Sequence, residues 1–265
     1  FFTFATLNPG GDWNALWNLG LRNPSFGWGE AEHLRIQGNA SCDLLNTNHL
    51  HGDVAVEFTR LSTADVRSEN LQISAALEGF INERRIENAR LKGRVTGFDS
   101  KWARADHASF EATLTTNKTA VVGPAEWAGT IWRHLLPWRG NFQLHAEQVR
   151  DDQSHLNDLD VALTWDNPRL RLESLTARFP DGQLALHGEL DATNRVFSWQ
   201  SSSSFSPHQI AHLLGPRNVR YLSQYQFESP PVIETRGQLR FPAWTNRAVK
   251  WKTDIEPSLE LAARI

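Results

Sequence analysis

The sequence predicts a mainly β protein: a long, twisted and curved antiparallel β-meander that forms an open groove, with two or three short helices. Three observations support this fold class. Apolar and polar residues alternate over short runs, clusters of turn residues end each run, and the pattern returns at intervals of 16 to 19 residues. Because strand side chains repeat every two residues, such alternation gives a sheet one apolar face and one polar face.

The clearest runs lie between Leu156 and Ser201. Apolar side chains occupy alternate positions from Leu159 to Trp165, and again from Leu184 to Leu190. Between these runs, the sequence Pro-Asp-Gly at 180–182 combines a fixed φ, a side chain that bonds its own backbone and a residue free to adopt positive φ. This combination is typical of a turn between antiparallel strands.

The alternation changes phase once, between these two runs. Leu170 and Leu172 are followed by Leu175, Ala177 and Phe179. Without an irregularity the two sets would point to opposite faces of the sheet. We therefore predict a β-bulge near residues 173–174, since one extra residue there returns both sets to the same face.

Similar runs recur along most of the chain. A polar pair is followed by an apolar-x-apolar triplet, and Leu71, Ala89 and Ala108 mark a spacing of 18 and 19 residues. Two strands and two turns need about that length, so the repetition indicates stacked hairpins in one growing sheet. The runs before residue 120 cover 1–7, 31–38, 51–58, 68–75, 86–95 and 105–114.

A few segments have a different pattern. Asp12 followed by Trp13 to Leu19 predicts a short capped helix, and 121–136 predicts a second helix that Pro137 ends. Ser206 as N-cap, with Pro207 at the first helical position, predicts a third helix that ends at Gly215. Residues 219–227 fit a helix or a strand, whereas 230–242 and 249–255 predict further strands.

Composition excludes several classes of protein. The 265 residues carry 27 basic and 30 acidic side chains without a block of like charge, so nucleic acid is not an expected partner. The single cysteine, Cys42, cannot form an internal disulfide, and we interpret it as a small buried residue. No run of eighteen apolar residues occurs, so no membrane span is expected within these residues.

Candidate catalytic and metal sites are weak. His49 and His51 share a strand face, and His208 and His212 share a helix face, but neither pair has a third ligand at fixed spacing. The aspartates at 151, 152, 158 and 160 are best interpreted as the solvated side of a hairpin. We find no phosphate loop, nucleophile elbow or cysteine cluster, so we expect no enzyme activity, no cofactor and no metal.

The apolar face is the strongest candidate for a binding surface. Few helical segments are available to cover about a dozen strands, and a sheet left uncovered can hold acyl chains without directional contacts. We expect the candidate residues to line one continuous groove: Leu34, Ile36, Val54, Val56, Leu71, Ile73, Leu159, Val161, Leu163, Leu170, Leu172, Leu184, Leu186 and Leu190.

The segment from Leu172 to Asp191 resembles the AsmA-like/TamB-like bacterial envelope proteins. These proteins repeat an apolar-x-apolar run, a turn, and a run of the form Gly-x-apolar-x-apolar-x-Gly-x-apolar-Asp. The later order of 197–205, 206–215 and 230–242 is similar to theirs as well. The resemblance covers much of residues 30–260, and the insert from Gly123 to Trp138 departs from it.

The resemblance implies a non-enzymatic periplasmic protein of the bacterial cell envelope. It implies a β-groove that carries phospholipid or another acyl-chain ligand between the inner and outer membranes and so supports outer-membrane biogenesis. Because the chain starts at Phe1 and contains no Met, we expect a fragment of a longer protein, anchored in the inner membrane by a segment outside it. We expect residues 1–265 to form one β-rich region, with a possible subdivision near 123–140.

Two other functions remain open at this point. The eleven Trp residues fit an extracellular or surface β-rich module, an adhesin or a glycan-binding domain, in which indole rings stack on sugars. An enzyme built on a β scaffold is the least supported hypothesis. The sequence identifies no protein partner.

Overall fold

The computed structural model describes residues 2–7, 12–43, 49–80, 82–83, 85–116, 124, 127, 130–151, 154–214, 216–246, 248, 250 and 254–264. The chain divides into two compact units, unit 1 from Phe1 to Thr116 and unit 2 from Asn117 to Ile265. Each unit is built mainly from an antiparallel sheet, and the described helices are short. The predicted fold class, a mainly β antiparallel meander with two or three short helices, is confirmed.

Unit 1 is an antiparallel meander in the order β1-β2-β5-β6-β7-β8-β9, and the two-residue strands β3 and β4 form a side hairpin that pairs with β6. Its strands are long, up to 16 residues. They span β1 Phe2–Leu7, β2 Asp12–Arg22, β3 Ser25–Phe26, β4 Gly29–Glu30, β5 His33–Asp43, β6 His49–Thr63, β7 Val66–Phe80, β8 Arg85–Ser100 and β9 Arg104–Thr116.

Unit 2 is an antiparallel meander in which each strand from β10 to β16 pairs with the next. Its strands are β10 Trp138–Arg150, β11 His155–Asp166, β12 Arg169–Phe179, β13 Gly182–Asp191, β14 Val196–Ser203, β15 Val232–Arg240 and β16 Glu256–Arg264. Helix α1 spans Ile131–Leu135, a 3-10 helix spans Pro207–Leu214, and helix α2 spans Pro216–Leu222.

Two of the segment predictions are wrong. Trp13 to Leu19 is not a helix but part of β2, because the i, i+4 spacing of Trp13 and Trp17 also fits alternate positions of a strand. Neighbouring β1 and β5 decide between the two, since both pair with this segment. The last strand is β16 rather than residues 249–255, of which the described Lys250, Asp254 and Ile255 are not in a strand.

The other helical predictions hold in shorter form. Within 121–136, the described α-helix covers only Ile131–Leu135. The segment after Ser206 forms the 3-10 helix at the predicted place, whereas Gly215 lies outside the described residues. Residues 219–227, left open between helix and strand, begin within α2. The sequence Asn-Pro-Gly-Gly at 8–11 predicts a turn, and these residues also lie outside the described set.

The predicted bulge is present in β12. On the β13 side, Leu172 is opposite Gly188 and Leu175 is opposite Leu186, so residues 173 and 174 face a single residue. On the β11 side, the register shifts between Ala162 and Leu163. The extra residue brings Leu172 and Leu175 onto one face, as the change of phase in the sequence predicted.

Two groups of side chains close the ends of the unit 2 sheet. At the end where β13 passes to β14, Trp127, Trp165 and Ala192 are buried, and Trp132 and Trp244 pack against them. We call this group the tryptophan cap. Indole hydrogen bonds fix it, since Trp165 Nε1 donates to the Leu135 carbonyl at 2.9 Å and Trp244 Nε1 donates to the Ala192 carbonyl at 2.7 Å.

At the opposite end, where β12 passes to β13, Ala177, Phe179 and Phe205 are buried and Ile210 of the 3-10 helix packs on them. We call this group the phenylalanine cap. The rings of Phe179 and Phe205 stack with centroids 4.0 Å apart. The middle of the unit 2 sheet lies between the two caps.

Candidate functional site: the apolar sheet faces

Strand register places the six candidate residues of unit 1 on one face. Directly opposed residues of antiparallel strands project to the same side of a sheet. Two rungs cross the strands on this side, Leu34–Phe58–Leu71 and Ile36–Val56–Ile73, with Val54 in the next rung. We call this side the apolar face of unit 1.

Much of this face is open to solvent. Leu21, Leu77 and Leu91 project from it and are exposed, whereas Leu34 is buried with 5% of its surface exposed. Within the described part of unit 1, no cluster of buried side chains covers the face; both hydrophobic clusters belong to unit 2. The other five candidate residues of this face are half-buried by their neighbours in the sheet.

The eight candidate residues of unit 2 also share one face. The rungs Leu159–Ala177–Leu184, Val161–Leu175–Leu186, Leu163–Leu172–Gly188 and Trp165–Leu170–Leu190 run across β11, β12 and β13. We call this side the apolar face of unit 2. The expectation that both units contribute to one continuous groove stays a prediction.

The caps divide the unit 2 candidates into two groups. Leu159 and Leu184 pack against the phenylalanine cap, and Leu170 packs against the tryptophan cap. Val161, Leu163, Leu172, Leu186 and Leu190 are half-buried and belong to neither cluster. These five positions are therefore the ones from which an acyl chain on this face would be contacted.

Aromatic rings lie flat over glycines on both apolar faces. The ring of Trp17 covers Gly38 and that of Phe110 covers Gly93 in unit 1; the rings of Phe197 and Trp199 cover Gly188 and Gly237 in unit 2. A glycine has no Cβ, so each ring can approach the backbone of the neighbouring strand closely.

A group of hydrogen-bonded polar side chains lies on the apolar face of unit 2. Trp199 Nε1 donates to Thr235 Oγ1 at 3.3 Å, and the hydroxyls of Thr235 and Ser201 are 2.6 Å apart. Whichever hydroxyl donates in that second bond, the other retains an O–H with no partner among the described residues. This donor is beside Leu186, which pairs directly with Ser201, and it suits an ester or carboxylate oxygen.

The opposite side of the unit 2 sheet is charged and hydrogen-bonded. Arg171 Nε lies 2.9 Å from a Glu189 carboxylate oxygen, and Arg236 Nε lies 2.6 Å from Glu260. A cavity of about 700 Å³ opens on this side. Charged side chains such as Arg171 and Glu189 share its walls with Leu172 and Trp199.

The pKa values of His145 and Cys42 are shifted from their ordinary ranges. His145 lies between Asp160 at 2.7 Å and Glu147 at 3.2 Å, and these hydrogen bonds raise the pKa of its imidazole. Burial, with a smaller contribution from Asp43, raises the pKa of the Cys42 thiol, which disfavours the thiolate.

The histidine pairs are held by other contacts. His51 Nδ1 lies 3.4 Å from Glu78, and His208 bonds the Ser206 hydroxyl and the Leu222 carbonyl. The side chain of His212 is outside the described set. In the described part of the chain, no three His, Cys, Asp or Glu side chains converge as metal ligands would.

Sequence reasoning missed the aromatic half of the apolar faces. Trp17, Phe58, Phe110, Phe197 and Trp199 all project from them, yet none was among the candidates. The sequence did contain a signal for these rings, since each glycine under a ring occupies an inward position of an otherwise apolar alternation.

Among the described helices, none has the length and apolar character needed to cross a bilayer.

No protein-family model, no curated protein and no solved structure matches this chain.

Proposed function

We propose that this chain is a non-enzymatic protein that binds acyl chains on its apolar sheet faces and supports phospholipid transport in a bacterial envelope. One observation carries the proposal: the apolar face of unit 1 exposes Leu21, Leu77 and Leu91 with no buried cluster over it in the described residues. Soluble proteins rarely leave such a face uncovered unless it binds something.

The chemistry of the face favours an acyl chain over a directional ligand. Burial of each CH₂ group contributes about 0.8 kcal/mol and requires no fixed hydrogen bonds. The rings of Phe197 and Trp199 add aromatic surface to the apolar face, and the O–H of the Ser201–Thr235 pair offers one donor to the polar end of a chain. The periplasmic location, the inner-membrane anchor and the direction toward the outer membrane are proposed from the resemblance to AsmA-like proteins.

Photocrosslinking tests the proposal, and the neighbouring position on the same strand, which projects to the opposite side of the sheet, serves as the control. A photoreactive side chain at position 161 or 186 projects from the apolar face of unit 2, whereas positions 162 and 185 project from the opposite side. With purified protein and phospholipid in detergent, we expect lipid adducts from the first pair and none from the second. Adducts of equal yield from all four positions would contradict the proposal.

Charged substitutions separate a binding face from an ordinary core. We expect Val161→Asp and Leu186→Asp to abolish lipid adducts with near-native melting, because a carboxylate on an open face remains hydrated. The matched control is Ala177→Asp in the phenylalanine cap, where an unpaired buried charge costs several kcal/mol against a total stability of about 5–15 kcal/mol. Absence of adducts together with collapsed melting of all three variants would indicate a closed core.

Glycan binding is the second candidate, and the cavity on the charged side of unit 2 is the observation that favours it. His187, Gln200 and Gln238 line that cavity and can bond hydroxyl groups. Trp199 also lines this cavity, although strand register directs its ring over Gly237 toward the opposite side of the sheet. Saturable binding on a glycan array, lost in Gln200→Ala, would favour this candidate over the lipid proposal.

A further inference from the structure

Three connections meet at one end of the unit 1 sheet. They are the loop between β2 and β5, which contains the β3–β4 hairpin, the β6–β7 turn and the β8–β9 turn. Pairing of Gly29 with Thr63 holds the hairpin beside the β6–β7 turn. Lys101 Nζ, 2.8 Å from Asp65, links the β6–β7 turn to the β8–β9 turn. We call this group the aromatic end of unit 1.

Two indole rings are displayed at the aromatic end. Trp28 has 57% of its surface exposed and Trp102 has 67%. Trp28 is held in place by stacking on Phe26, with centroids 5.0 Å apart and an angle of 7° between the rings, and by an edge contact with Phe58. Its exposure is therefore a property of an ordered hairpin with a fixed ring orientation.

The aromatic end is continuous with the apolar face. Phe58 belongs to the rung that joins Leu34 and Leu71, and exposed Leu21 pairs with Leu34 in the same row. Through Phe58, Trp28 thus extends the apolar face to the end of the sheet. An acyl chain that leaves the face at this end meets indole rings first.

Three ion pairs lie at the aromatic end. Arg60 lies 2.7 Å from Glu32, Lys101 lies 2.8 Å from Asp65, and Arg104 lies 3.0 Å from Asp99. Lys101 Nζ also lies 4.4 Å from the ring centre of Trp102, so its charge is shared with an indole face. This end therefore presents amphipathic rings with balanced charge and no strong attraction for a polyanion.

We infer that the aromatic end docks on the headgroup region of a phospholipid bilayer, zwitterionic lipid included. Indole rings favour the bilayer interface, where the ring is buried among acyl carbons and the N–H stays hydrated. The inference rests on the proposed function for what passes at this contact, which is an acyl chain moving between the apolar face and the membrane. The balanced charge predicts docking that does not depend on anionic lipid.

The test is co-sedimentation of the whole chain with phosphatidylcholine vesicles. We expect the double variant W28A/W102A to bind at least about tenfold more weakly than the parent chain. Leu16→Ala is the control, because Leu16 is exposed to a similar 58% in the same unit but projects from the opposite side of the sheet. Binding of the parent should change little between low and high salt.

Two outcomes would overturn the inference: equal binding of W28A/W102A and the parent, or binding that requires anionic lipid and vanishes at high salt. If the double variant misfolds, the single variant Trp102→Ala still tests the inference. Its folding should be unaffected, because the described contacts of this exposed ring are limited to the one with Lys101. The crosslinking at positions 161 and 186 uses detergent-dissolved lipid without a bilayer. It therefore fails only if the proposed function is wrong, whereas the vesicle test fails only if the docking is wrong.

Discussion

The indole ring of Trp199 lies flat over Gly237, its direct partner on the neighbouring strand. A Cβ atom added at Gly237 would lie 2.5 Å from Cη2 of the ring and 2.6 Å from the Ser258 carbonyl oxygen. The ring of Trp199 and the backbone of Ser258 therefore leave no space for a side chain at position 237. Trp17 over Gly38 and Phe110 over Gly93 repeat the arrangement in unit 1.

We expect Gly237→Ala to lower the stability of unit 2 by about 1–3 kcal/mol, since the ring and the adjacent backbone must both move. Trp199→Ala in the same chain should recover part of this loss, with a coupling energy of about 1 kcal/mol. Urea unfolding of the two single variants and the double variant measures the coupling. The control is Gly20→Ala, where a Cβ meets open space. Additive losses would show that the ring is not the obstacle.

Deleting Ser174 should unfold unit 2. Removal of the extra residue of the bulge turns Leu175, Ala177 and Phe179 to the charged side of the sheet, and the phenylalanine cap loses its buried members. Circular dichroism and a thermal melt measure the loss. Ser174→Ala keeps the residue count and should stay within about 0.5 kcal/mol of the parent. A folded deletion variant would show that the bulge does not set the register.

Trp127→Ala should destabilise the tryptophan cap by about 3–5 kcal/mol, because this ring is 1% exposed and the cavity would not be refilled. Trp127→Phe should cost much less. It keeps most of the ring volume and removes the indole N–H, which is buried with no hydrogen-bond partner among the described residues. Thermal melts of the two variants test this, and equal losses would contradict it.

The His145 imidazole should titrate above its ordinary pKa of 6.5, because Asp160 and Glu147 bond its protonated form. A pKa raised by folding adds stability that is fully present below pH 6.5 and is lost as the pH rises through the folded pKa. The ring is partly exposed, so solvent screening keeps the effect small. NMR titration of the ring reports the pKa directly.

Variants of Asp160 and of His145 itself test this assignment. Asp160→Asn should lower the pKa of His145 toward the ordinary value, because it removes the shorter of the two bonds. His145→Gln should reduce the difference in melting temperature between pH 5.5 and pH 8.5. A His145 pKa at or below 6.5 in the parent chain would contradict the assignment.

Alternation, together with the turn residues and the repeat, was enough to predict the fold class, and alternation alone predicted the position of the bulge. Both depend on side-chain direction along one strand, which a period of two records in the sequence. The same signal failed at Trp13 to Leu19, because four-residue spacing satisfies both a helix and every second position of a strand. Only the pairing with β1 and β5 resolves that ambiguity.

The sequence by itself determined which side chains share a face, from Leu34 and Ile36 in unit 1 to Leu184 and Leu186 in unit 2. Only the tertiary structure decided which of them are covered: Leu159, Leu170 and Leu184 pack into caps, whereas Val161 and Leu186 belong to neither. It also brought Trp28 and Trp102 to one end of a sheet. Burial and proximity depend on segments far apart in the chain, such as Trp127 with Trp165 and Phe179 with Phe205, and local periodicity carries no record of such contacts.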